Sequence, residues 1–99
     1  MGVSDNILEV IESNRSRLVD LPIKQFLIDL RNKKVLNDSD VDELQEITAE
    51  KTQNDRFIRI LSKRDDQGFY EFCNLLKRNQ ATAIQNLGKD LLQQVKNGN

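Results

Sequence analysis

From Ile7 to Val95 the apolar residues of this chain recur every three or four positions rather than every second one. That spacing lines one face of a helix, whereas a half-buried strand needs strict alternation. The chain is therefore committed to packing helix on helix, and six segments can be read from it. The first spans about residues 4–19, with Ile7, Leu8, Ile11 and Leu18 inward and a polar stretch from Glu12 to Arg17 that interrupts the stripe. Such a gap predicts a bent or broken helix. Pro22 suits a first helical turn, where its missing N–H has no partner to lose, and opens a second helix to Lys33 with Ile23, Phe26, Leu27 and Leu30 inward. Val35 and Leu36 follow as core plugs.

Asn37 offers a side-chain oxygen to cap a third helix, and Asp38 and Asp40 fall in its first turn, where the helix dipole favours negative charge. This helix runs to Ile47 and buries Val41, Leu44 and Ile47. Thr48 starts a fourth segment, helical by Phe57, Ile58 and Leu61 and ending near Arg64. Asp65 and Asp66 cap a fifth, which carries Phe69, Phe72, Cys73 and Leu76 inward. The sixth begins near Thr82 and shows Ala83, Ile84, Leu87, Leu91 and Val95. Gly88 within it costs about 1 kcal/mol relative to Ala, which marks either a weak helix or a place of close packing. Ile28, Leu75 and Leu92 fall off the main apolar faces. Residues 1–95 read as one domain and 96–99 as a frayed tail.

Charge distinguishes this bundle from a generic one. With 15 Lys+Arg against 16 Asp+Glu the net charge is −1, so there is no general attraction to nucleic acid or anionic lipid. The two signs are nevertheless segregated. Asn37 to Glu50 holds six acids and no base, and Lys51 to Arg64 holds five bases with Asp55 as the lone acid. A domain with one face of each sign can dock head to tail on copies of itself or on a relative. Asp42/Glu46 and Arg59/Lys63 are like-charged i,i+4 neighbours that mildly destabilise their own helices, so helix stability does not account for them. Asp29/Lys33 and Asp55/Arg59 read instead as pairs within one helix.

The chemistry that a bundle of this kind could perform is narrow. Without histidine there is no Ser-His-Asp or Cys-His arrangement and no ordinary general base near neutral pH. The single cysteine cannot form an internal disulfide, which points to a reducing, cytoplasmic setting, and its apolar neighbours make Cys73 an inert core residue. The glycines are scattered and form no phosphate loop. Asp38, Asp40 and Asp42 fall at the first three ligand positions of an EF-hand loop, but Glu43 stands where the turn needs glycine and Ala49 where the bidentate glutamate belongs. No apolar run approaches the roughly 20 residues of a membrane span. These readings imply no catalysis, no cofactor, no metal, no membrane and no nucleic acid as partner. The alternatives weighed are a helical nucleic-acid binder, which would need a continuous basic surface, and an enzyme working through carboxylates, lysines or the thiol.

The order of features resembles the caspase recruitment domain (CARD). Arg17-Leu18-Val19-Asp20-Leu21, Phe26-Leu27-Ile28-Asp29-Leu30 and Lys34-Val35-Leu36-Asn37-Asp38-Ser39-Asp40 are similar to its first three helices. Arg56-Phe57-Ile58-Arg59-Ile60-Leu61 and Phe69-Tyr70-Glu71-Phe72 are similar to its fourth and fifth. The resemblance covers about residues 7–92. It departs before the fifth helix, where Arg64-Asp65-Asp66 stand in place of the usual glycine and Gly68 comes later. It implies an all-α, six-helix antiparallel Greek-key bundle, the death fold, with a bent or broken first helix. It also implies a non-catalytic adaptor that associates with another CARD, or head to tail with itself up to a filament, and recruits a caspase or signalling scaffold in apoptosis or inflammation. Death and death-effector domains are the neighbouring alternatives. Carried onto this sequence, the basic contact face is Arg15, Arg17, Arg56 and Arg59, and the acidic face is Asp29, Asp38, Asp40, Asp42, Glu43 and Glu46.

Overall fold

A computed structural model describes residues 2–98, and all the regular structure in it is helical. The first segment is two helices, α1 (Asp5–Ser13) and α2 (Arg15–Leu18). Between them Asn14 leaves helical geometry at φ −111° and ψ 14°. Its side chain is buried, and its Nδ2 donates to the Val10 carbonyl and to Gln94 Oε1, each at 2.8 Å. The polar gap in the stripe is thus a break stabilised by an amide that reaches across the bundle.

The second segment opens as a 3-10 turn over Ile23–Phe26, with Pro22 just outside it, and continues as α3 (Leu27–Asn32). Lys34 then turns the chain with a left-handed φ of 63°. The N–H groups of Val35 and Leu36 donate back to the Leu30 carbonyl at 2.9 and 3.2 Å, which sends both side chains into the core. Asn37 and Asp40 form a reciprocal capping box at the start of α4 (Asp38–Glu46). Ile47 is the extended residue ending α4 and is only half-buried, a shallower position than its spacing predicts. α5 (Glu50–Lys63) begins two residues after Thr48, which does not open the helix, because Ala49 is still extended. α6 (Asp66–Lys77) is capped by Asp65, whose Oδ1 accepts from the Gly68 N–H at 2.9 Å. Asp66 instead accepts from the Ser4 N–H at 2.7 Å, tying the N-terminal segment down. α7 spans Thr82–Asn97, so Lys96 and Asn97, expected to fray, continue the helix; Asn99 lies outside the described residues.

The core is continuous and built on Phe57, Phe69 and Phe72, with Phe57 and Phe72 edge to face at 5.1 Å across α5 and α6. Leu8, expected inward, is 41% exposed. The inward face of α1 is centred on Ile7, Val10 and Ile11, and at about 100° per residue Leu8 points well to one side of it. Ala83 is exposed at the edge of the α7 face for the same reason. Gly88 resolves to the close-packing alternative. A Cβ there would lie 2.8 Å from the Cys73 carbonyl oxygen and from the Lys77 nitrogen, so α6 and α7 touch backbone to backbone at this point.

Candidate partner-binding faces

The acidic helix α4 and the basic helix α5 lie side by side, and their facing charges cancel across the seam. Arg56 Nε donates to Glu43 Oε2 at 2.5 Å, and Arg64 pairs closely with Asp40, which already caps α4. Arg31 reaches Asp38 at 3.6 Å. On the other flank of α5, Arg15 is clasped by Glu12 at 2.8 Å and by Asp55 at 2.5 Å, and Arg17 reaches Asp90 of α7 at 3.1 Å. The hydrogen bond to Glu12, opposed by desolvation and aided by Asp55, raises the Arg15 pKa above its ordinary value. Apart from Arg64–Asp40, whose carboxylate is largely buried, these are exposed pairs of a kind that contributes about 0–1 kcal/mol each, so they can yield to a competing partner.

The ten residues expected to form the two faces therefore divide. Arg15, Arg17, Arg56, Asp38, Asp40 and Glu43 are engaged within the chain. Arg59, Asp29, Asp42 and Glu46 are exposed, and among the described residues they make no ion pair. The expected support of Arg59 by Asp55 within α5 does not form, because Arg15 of the neighbouring helix α2 takes Asp55.

Arg59 shares a groove of about 340 Å³ between α1 and α5 with Leu8, Glu12, Arg15, Asp55, Ser62 and Lys63, its two acids both being held by Arg15. Leu8 and Lys63 thus belong with the basic face, an association that the interrupted stripe of α1 conceals. A second exposed apolar residue, Ile28 at 48%, adjoins Asp29 on α3.

Two buried amides fix the frame beneath these faces. Asn54 Nδ2 donates at 2.6 Å to both the Val19 and Leu21 carbonyls, stitching α5 to the loop after α2. Gln53 Nε2 donates at 2.8 Å to the Leu44 carbonyl near the end of α4. Both lie at four-residue spacing from Phe57 and Ile58, so the inward stripe of α5 runs through them; that period is the signal in the sequence. Cys73 has no exposed surface, and burial pushes its thiol pKa up to about 12. No described helix is long and apolar enough to cross a membrane, and among the described residues no group of acidic or thiol side chains gathers to hold a metal ion.

Among the described residues the buried polar side chains of this helical bundle are the amides of Asn14, Gln53 and Asn54, and its class, the death fold, is given by the family it matches. The chain matches the family described as CARD: Caspase recruitment domain over residues 8–90, and it belongs to that family. As a CARD it is a non-catalytic module of homotypic protein interaction, of the kind used in apoptotic or inflammatory signalling. No curated protein and no solved structure matches the chain.

Proposed function

We propose that this CARD is a cytoplasmic adaptor that joins a second CARD, or a copy of itself, by laying the basic α1–α5 face against an acidic α3–α4 face, and so recruits a caspase or signalling scaffold. One observation carries the reading. Among the groups that make no ion pair among the described residues, Arg59 and Lys63 stand together beside Leu8, and Asp42 and Glu46 stand one turn apart on α4 with Asp29 on α3; Asp5 and Glu9 of α1 and Glu50 and Lys51 at the start of α5 are also unpaired, but none of them lines the groove that holds Arg59 and Lys63. Leu8 and Ile28 give each set an apolar contact at which water can be excluded. Arginine at Arg59 suits a carboxylate partner because its planar fork binds both oxygens.

The test is a charge swap at residues that take no part in the internal pairs. Arg59→Glu with Lys63→Glu, and separately Asp42→Lys with Glu46→Lys, each leave one face intact. Sedimentation velocity of the parent should show association that grows with concentration and weakens with salt, because exposed charges are screened beyond about 8–10 Å at physiological ionic strength. Each variant alone should stay monomeric, while their equimolar mixture should form a capped heterodimer. Parent-like association by both variants refutes the assignment of the faces.

A further inference from the structure

A second cluster of unpaired cations lies away from the α1–α5 face. A groove of about 440 Å³ along α7 is lined by Lys77, Lys89, Leu92, Gln93 and Lys96, with no carboxylate among them. It shares Lys77 with an adjoining groove of about 310 Å³ that adds Lys33 and Arg78 and a single acid, Glu71. None of these five cations takes part in an ion pair among the described residues, although the chain carries slightly more acids than bases and binds five of its arginines internally. The favourable position of Lys77 and Lys96 in the last turns of their helices accounts for their presence there. It does not account for Lys89 in mid-helix, nor for a groove emptied of acids.

The kind of cation is informative. The α1–α5 surface is arginine-rich and arginine matches carboxylates, whereas four of the five cations here are lysines, compact point charges that can converge on one multiply charged group. No aromatic ring lines either groove, so single-stranded nucleic acid would find nothing to stack on. We propose that the α6–α7 groove is a binding site for an anion with clustered phosphates, its charge met by Lys77, Lys89 and Lys96, with the Gln93 amide as a further donor. The same chemistry is offered by a free polyphosphate and by the head group of a polyphosphorylated lipid. The site is independent of the docking faces and stands or falls apart from them.

Isothermal titration of the full chain with inorganic tripolyphosphate, and co-sedimentation with phosphatidylcholine vesicles containing phosphatidylinositol bisphosphate, separate the two sources. The paired variants are Lys89→Gln with Lys96→Gln in the groove and Lys24→Gln with Lys51→Gln elsewhere, which remove equal charge from exposed positions. At about 1 kcal/mol per lysine, the groove variant should bind about 30-fold more weakly at low salt while the other stays near the parent. Heat on tripolyphosphate addition that the groove variant loses identifies a free anion. Vesicle pelleting that the groove variant loses, without tripolyphosphate binding, identifies a lipid head group. No binding to either probe, equal losses in both variants, or tighter binding to a nucleic-acid duplex than to either probe overturns the proposal.

Discussion

Gly88→Ala sets two effects of opposite sign against each other. Alanine is favoured over glycine in a helix interior by about 1 kcal/mol, so propensity alone predicts a more stable protein. At Gly88, however, the added Cβ would meet the Cys73 oxygen and Lys77 nitrogen at 2.8 Å and Leu76 Cβ at 2.9 Å, and two of these are backbone atoms that cannot rotate away. Restoring ordinary contact near 3.4 Å requires α6 and α7 to part by roughly 0.5–1 Å, a gap that forfeits a quarter to a half of each dispersion contact it opens. This is the most extensively packed helix pair in the bundle, so the loss spreads over Cys73, Leu76, Leu87 and Leu91. Overpacking of this kind costs about 1–3 kcal/mol, and subtracting the propensity gain leaves a net destabilisation of about 0–2 kcal/mol. For a domain of this size that lowers Tm by up to roughly 15 °C. Gly68→Ala is the control. A Cβ there meets nothing closer than 3.5 Å, so propensity should win and Tm should rise by a few degrees. Thermal melts followed by circular dichroism decide the matter: a Gly88→Ala protein that gains the same few degrees as the Gly68→Ala control would refute the argument from close approach.

Two further perturbations probe the interior. The Cys73 thiol should resist labelling by a disulfide reagent at pH 8 until the protein is unfolded, and Cys73→Ser should cost about 1–3 kcal/mol by placing a hydroxyl in an apolar site. Because folding raises the thiol pKa from 9.0 to about 12, the native state favours the protonated form; the stability this contributes is whole below pH 9 and declines as pH climbs toward 12, as urea titrations across that range should show. Asn54→Asp removes both donors and aims a carboxylate at the Val19 and Leu21 carbonyls, so it should destabilise more than Asn54→Ala, which itself should cost about 1–3 kcal/mol; equal urea midpoints for the two variants would show that the amide clasp contributes little.

The helices were legible because each carries local instructions. The caps at Asn37 and Asp65, the polar break before Leu18 and the periodic stripes are all read within a few residues of where they act. The edges of the stripes were less legible. Leu8 and Ala83 belong to apolar patterns but lie beside the buried arc, and only the placement of neighbouring helices shows how wide that arc is. The charged faces were legible as segregated blocks and not as individual residues. That Arg56 meets Glu43, or that Arg15 takes Asp55 from Arg59, depends on which helices lie side by side across 13 and 40 residues of chain. Gln53 and Asn54 look like surface residues by type; their burial follows from the loops and helix ends whose carbonyls they satisfy.

The joining of the first helix to the last has a bearing on how the protein is made. Asn6 Nδ2 donates to the Val95 carbonyl at 2.9 Å and Asn14 to Gln94, so α1 is completed by residues 80 to 89 positions further along. A ribosome adding about 5–20 residues per second needs roughly 4–18 s to supply them. Throughout that interval Ile7 and Ile11 have been synthesised while Leu91 and Val95, which share their core, have not. Synthesis in this order thus leaves α1 without its cover until α7 is made, and the nascent chain carries an uncovered apolar stripe for chaperones to shield or for neighbouring nascent chains to capture.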